Sequence, residues 1–247
     1  MPAAKPSTNI ESMDWRINNL TQLKSYIHPV SGQTIPADNA VTEAAILPLG
    51  KKTVCISVPN TTALFLNLSH THRMLAEEGL ARCTEHKDPH NKLPDEVAYE
   101  LIQSVMASIV FACSALESFA NEMTPDNYVH VVKKKDGHLH HDKDQIERWI
   151  TLSDKLGEVL PKALGVKSPK GGRNWEACEK LIRLRDRIIH MKTADRKFAG
   201  PVGTQRTIWN NLIADPLPQT HSVAKAMMKS FLDAKGLKPR WFEKCPF

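Results

Sequence analysis

The sequence predicts a mainly α protein, an antiparallel helical bundle with small β-hairpin elements. Apolar residues recur at three- and four-residue spacings over several long stretches after residue 60, and turn residues separate those stretches. β-Branched runs beside tight-turn residues occur only before residue 60 and near residues 128–140. With 247 residues, 41% hydrophobic and 24% charged, the chain has apolar material for one sizeable core or two small ones. Disorder and collagen-like repeats are excluded.

Residues 1–59 read as an N-terminal extension with little helical periodicity and with the turn residues Pro29, Gly32, Pro36 and Asp38. Within it, Glu43 to Leu47 and Thr53 to Val58 flank Pro48-Leu49-Gly50-Lys51 and predict a hairpin. Residues 60–247 read as the helical domain. Leu64, Leu68, Leu75 and Leu80 share helical spacing, Asn60, Thr61 or Thr62 can cap the start, and the pattern fades near Cys83. After a loop bearing Pro89 and Pro94, Asp95 is expected to cap a second helix reaching about Met123. Between Val105 and Cys113 that helix is apolar almost all round, which places it in the middle of a bundle.

Thr124-Pro125-Asp126-Asn127 ends the second helix, and an insertion at about 125–144 follows. It holds YVHVV, Lys133 to Lys135 and the turn dipeptide Asp136-Gly137, and reads as a hairpin or loop. Helical pattern returns from Gln145 to Leu160, where Pro161 is expected to stop it. After a Pro/Gly loop, Asn174 is expected to cap WEACEKLIRLRDRIIHMK, whose Cys178, Leu181, Ile182, Ile188 and Ile189 share one face. A connection at Ala199 to Gly203, a segment of no clear period around Ile208 to Ile213, and a helix from His221 to Ala234 complete the chain.

Lys and Arg total 33 against 27 Asp and Glu, a net of +6 that permits phosphate contact without localising it. The opening MPAAKPSTNIESMDW lacks a signal peptide's apolar run, and Val105 to Leu116 alone is too short to span a bilayer. A soluble, cytoplasmic protein without membrane contact is expected. Five widely spaced cysteines with no CxxC pair predict free thiols rather than disulfides or a thiolate zinc site. His138, His140 and His141 lie in the insertion, where no rigid element sets a ligand geometry, so no metal and no other cofactor is expected. Phosphate-loop, dinucleotide, zinc-protease and serine-hydrolase motifs are absent.

The helix around residue 185 carries the chemistry. Asp186 and His190 are four apart and Arg183 and His190 seven apart, so the three project from nearly one side, flanked by Arg185 and Arg187. A histidine exchanges protons near neutral pH, a carboxylate one turn earlier can hold its tautomer, and an arginine binds phosphate through paired hydrogen bonds. Such parts can break a phosphodiester without a metal. Spacing alone equally fits an exposed helix face of local ion pairs.

Arg185-Asp186-Arg187-Ile188-Ile189-His190 resembles the R-x4-6-H motif of the HEPN superfamily, with a spacing of x4 from Arg185 and x6 from Arg183. Ala112 to Glu122, with its ALESFANE run, is similar to the ALExxxNE-like stretch on an earlier helix of many such proteins. The resemblance covers roughly Asn60 to Ala234. It implies a metal-independent endoribonuclease acting on RNA, plausible in defence or toxin systems. His190 would move a proton, Arg185 would hold the phosphate's charge with Arg183 in reserve, and Asp186 would orient His190. Glu117 and Asn121, one polar spot on a helix, would support this site or mark a passage from core to surface. A homodimer with facing motifs is implied, and an antitoxin or regulatory protein is a possible partner. Met191-Lys192 follow the histidine where a toxin branch often has a tyrosine two residues on, which puts control through such a tyrosine in doubt. The competing expectations are a non-catalytic HEPN-like module that binds a nucleotide or a protein, and a purely structural scaffold.

Overall fold

A computed structural model describes residues 13–22, 26–27, 30–35, 40–88, 93–135, 137–196, 207–213 and 216–247. The elements, in order, are β1 (Leu20–Gln22), β2 (Tyr26–Ile27), β3 (Thr34–Ile35), β4 (Ala40–Thr42), β5 (Ala44–Leu49), β6 (Lys52–Ser57), α1 (Thr61–Glu85), α2 (Asp95–Met123), β7 (His130–Lys134) and β8 (Gly137–His141). They continue with α3 (Lys143–Trp149), α4 (Leu152–Asp154), a π-helical turn (Lys155–Val159), α5 (Leu160–Leu164), α6 (Arg173–Ile189), α7 (Thr193–Arg196), α8 (Ile208–Leu212), α9 (His221–Lys235) and α10 (Arg240–Glu243). The protein is mainly helical, with two-stranded antiparallel pairs β1–β4, β2–β3, β5–β6 and β7–β8 among the described residues.

The chain forms two compact units, residues 1–64 with 238–247, and residues 65–237. In the first, the expected hairpin is present as β5–β6, and Leu49 pairs with Lys52 so that Gly50-Lys51 make the turn. Asn60 caps α1 as expected: its side-chain oxygen accepts from the Ala63 amide at 2.8 Å. Arg240 donates to the carbonyls of Asp14 and Met13, at 2.9 and 2.7 Å, which ties the C-terminal turn to the start of the described chain.

The second unit is built on α2. Its buried residues run from Leu101 to Ala120, and it packs on α6 and α9, which also pack on each other. Length and composition alone would let this 29-residue helix cross a membrane; here it is the bundle's central helix. α1 runs antiparallel beside it, because Phe65 stacks on Phe111, Ser69 meets Ser108, and Arg82 bonds Glu100 at 2.8 Å. Gly79 sets their spacing, since a Cβ there would lie 3.3 Å from Leu101 Cβ. The Ser69 hydroxyl donates to the Ser108 carbonyl and the Ser108 hydroxyl to the Ser69 carbonyl, both at 2.8 Å. Having given its one proton, Ser108 accepts from Thr220 at 2.7 Å. These buried hydroxyls are therefore satisfied.

Several expected boundaries move. Pro94, not Asp95, occupies the cap position of α2, and Asp95 lies in its first turn, where its charge suits the helix dipole. The insertion is a regular hairpin, β7–β8; Asp136 of its turn lies outside the described residues, as does the Ala199 to Gly203 connection. Pro161 does not stop a helix. The break falls earlier, at Ile150, because the Thr151 side chain accepts from the Asp154 amide and starts a new helix. Pro161 has no N–H for the Gly157 carbonyl four residues back, which accepts from the Ser168 hydroxyl at 2.6 Å instead. The π-helical turn just before it carries the chain past the proline to Leu164. Gly172 rather than Asn174 stands at the cap of α6, and the segment around Ile208 forms the short helix α8.

Candidate functional site

The α6 helix ends at Ile189, so His190 is its C-cap rather than a helical residue. Its backbone leaves the helix at φ −109°, ψ 41°, while its amide still donates to the Asp186 carbonyl at 2.9 Å. The imidazole is exposed and makes no hydrogen bond among the described residues. The expected Asp186–His190 side-chain pair is not formed. Asp186 instead lies beside Arg185, Oδ1 to Nε 3.2 Å.

Arg185 points inward. It shares a helix side with buried Cys178 and Ile182, seven and three residues earlier, and its guanidinium reaches the Cys113 thiol on α2. Its buried Nε has no acceptor in hydrogen-bonding geometry among the described residues, so the approach of Asp186 is a charge contact only. Burial pushes the Cys113 thiol up to about 12 against the opposing pull of Arg185, and burial likewise raises Cys178 to about 12. Both thiols are protonated and inert as nucleophiles.

Arg183 and Arg187 point away from that interior. Arg183 is exposed and pairs with Glu179 at 3.4 Å; Arg187 bonds Asp195 at 2.6 Å. The five charged positions the sequence grouped on one edge therefore separate into an inward arginine, an outward pair, an exposed carboxylate and a terminal histidine.

Glu117 and Asn121 are held by a residue that sequence reasoning missed. The Lys155 ammonium, in the π-helical turn, donates to Glu117 Oε1, to Asn121 Oδ1 at 3.0 Å and to the Glu147 carbonyl at 2.9 Å. Three donors meet three acceptors, which satisfies the polar head of a lysine only 1% exposed. The signal was present: Lys155 lies on the apolar stripe of Leu152, Leu156 and Val159. A lysine on a core face requires a buried acceptor set. Glu117 also lies close enough to Cys113 to act on its titration, so the Lys155 and Arg185 clusters adjoin along α2.

In the β7–β8 hairpin, Lys133 pairs with His138 and Val131 with His140, on one exposed face. Strand alternation sends His141 to the other face, beside buried His130. Among the described residues no group of three His, Cys, Asp or Glu converges as metal ligands.

The fold and this site define a mainly helical protein in which a basic helix ends on an exposed histidine. No family model, no curated protein and no solved structure matches the chain.

Proposed function

We propose that this protein is a metal-independent endoribonuclease of the HEPN type, working as a homodimer. The observation that carries the reading is the adjacency of α2 and α6, which brings Glu117 of ALESFANE and Arg185 of R-x4-H to the same buried thiol, Cys113. At the open end of α6, His190 has an imidazole free to meet a substrate.

In this reaction the 2′-hydroxyl of one nucleotide loses its proton and attacks the adjoining phosphorus. The O2′–P bond forms, the P–O5′ bond breaks, and the departing O5′ takes up a proton, giving a cyclic phosphate and a 5′-hydroxyl. His190 moves the proton, Arg185 balances the phosphate charge, and Asp186 limits how far Arg185 can swing. Within one chain Arg185 and His190 do not meet, so the cleft would be completed by the second copy's motif. DNA, lacking the 2′-hydroxyl, is spared. Defence or toxin duty, with an antitoxin or regulatory partner, is the setting this chemistry suits.

Structured RNA incubated with the protein in EDTA tests the reading. Wild type is expected to cut, leaving cyclic-phosphate ends, while His190→Ala and Arg185→Ala do not; cleavage that persists in both variants excludes the site. One observation favours a second reading, a non-catalytic module that binds a nucleotide or a protein: among the described residues no carboxylate holds the His190 ring. Binding of RNA without cleavage by wild type would select it.

A further inference from the structure

The side of α6 turned away from Arg185 borders an open groove of about 820 Å³. Arg173, Lys180 and Arg187 line it at intervals of seven residues, which on a helix places them in one row about 10.5 Å apart. Arg183 also lines it, and Glu176 is the one acid among the described lining residues. Leu184, Pro218 and Val223 give the groove an apolar floor. Arg183 and Arg187 are partly neutralised by Glu179 and Asp195, whereas Arg173 and Lys180 are exposed and take part in no ion pair among the described residues.

A straight row of cations beside an apolar floor has a particular complement. It matches an extended chain that carries negative charge at regular intervals on one edge and flat apolar groups on the other. Single-stranded nucleic acid has that construction, with phosphates for the row and base or sugar faces for the floor. We propose that this groove binds a single-stranded segment of RNA, outside the bond being cut and without reading its sequence. The inference rests on the ribonuclease reading for the choice of RNA as the strand, and it places RNA on a face of α6 that holds neither Arg185 nor His190. The same helix would then grip the substrate along one side and act on it at its end.

Binding and cleavage can be read separately. The probe is a short fluorescent single-stranded RNA, 2′-O-methylated throughout so that it cannot be cut, titrated by anisotropy over a range of salt concentrations. The double variant Arg173→Ala/Lys180→Ala is expected to weaken binding by on the order of tenfold and to flatten the log K against log salt plot by roughly 1.4, about 0.7 for each lost phosphate contact. Lys133→Ala/Lys135→Ala removes the same charge from the β7–β8 hairpin and is expected to change neither. Glu176→Gln, which removes an acid from the groove's lining, is expected to tighten binding. All these side chains but Glu176 are removed from exposed cations, and matching far-UV spectra verify folding of each variant.

Equal weakening by the hairpin variant would overturn the groove in favour of a diffuse field, and so would wild-type affinity in the groove variant. Failure of wild type to bind this RNA, with binding of an acidic peptide that Arg173→Ala/Lys180→Ala abolishes, would assign the groove to a protein partner and overturn the proposal. Groove-dependent binding together with an uncut, unmodified RNA would uphold the groove while removing the ribonuclease reading.

Discussion

Lys155 with Glu117 and Asn121, and the turn from Arg185 to His190, are both charged clusters beside α2, yet they differ in how completely they are bonded. In the first, every ammonium proton has an acceptor and the lysine is buried. In the second, the Arg185 Nε has no hydrogen bond among the described residues, Asp186 contacts it by charge alone, and His190 faces solvent. A closed set of bonds stabilises a fold and offers nothing to a ligand. An open set contributes little to stability and leaves polar atoms for something else to satisfy.

The sharpest break of that comparison is Lys155→Met. The methionine fits the apolar stripe but leaves the Glu117 carboxylate without its cation, and removing one partner of a buried pair costs about 3–5 kcal/mol. Glu117 keeps about a third of its side chain in water, so the lower end, about 3 kcal/mol, is expected in urea unfolding. Pairing Lys155→Met with Glu117→Leu should recover much of the loss, because the stranded carboxylate is then absent as well. A single variant as stable as wild type would mean that the cluster is not what holds α2 to the π-helical turn.

A half-buried polar pair sits in a less favourable setting. His70 Nδ1 and His221 Nε2 lie 3.4 Å apart with their rings edge to face. Burial, with His70, Arg73 and Lys225 nearby, pushes His221 down to about 4; burial also lowers His70, opposed by Glu77. An unfolded histidine titrates near 6.5, so between about 6.5 and about 4 the unfolded chain holds the extra proton and stability rises with pH. Stability is accordingly lost as pH falls through that window. Because carboxylates titrate there too, the informative quantity is the difference between wild type and His221→Gln: urea midpoints from pH 7 to 4.5 should fall less in the variant. Parallel curves would remove His221 as a source of acid sensitivity.

These contrasts follow how far the sequence can be read. Periodicity located α2 and α9, and it located α1 although the face α1 buries is Ala63, Leu66 and Ala76 while Leu68 and Leu75 are exposed; β-branched runs on either side of Pro48 to Lys51 located β5–β6. The Lys155 segment was harder, since a cap at Thr151 and a carbonyl redirected to Ser168 decide its path, and both depend on partners rather than on period. The α6 helix was correctly placed, but its last turn was not: treating His190 as helical put Asp186 beneath it, whereas the chain turns at His190 and Asp186 answers Arg185. The row Arg173, Lys180 and Arg187 was present as a seven-residue spacing; its meaning required Asn211, Pro216, Pro218, Gln219 and Val223, which line the same groove.

The smallest expected effect is the most discriminating. Asp186→Ala removes an exposed carboxylate whose one ion pair lies in a partly wet setting, a contact worth about 0–1 kcal/mol, and His190→Ala removes a side chain with no hydrogen bond among the described residues. Both variants should unfold within about 0.5 kcal/mol of wild type, as surface substitutions usually do. They should nevertheless part in cleavage. His190→Ala loses the proton carrier and falls to background, whereas Asp186→Ala frees Arg185 without removing it and should retain measurable cutting with altered salt dependence. If both variants lose several kcal/mol of stability instead, the α6 end belongs with Lys155 among the bonded interior clusters. The contrast between a closed cluster and an open one would then fail at its open end.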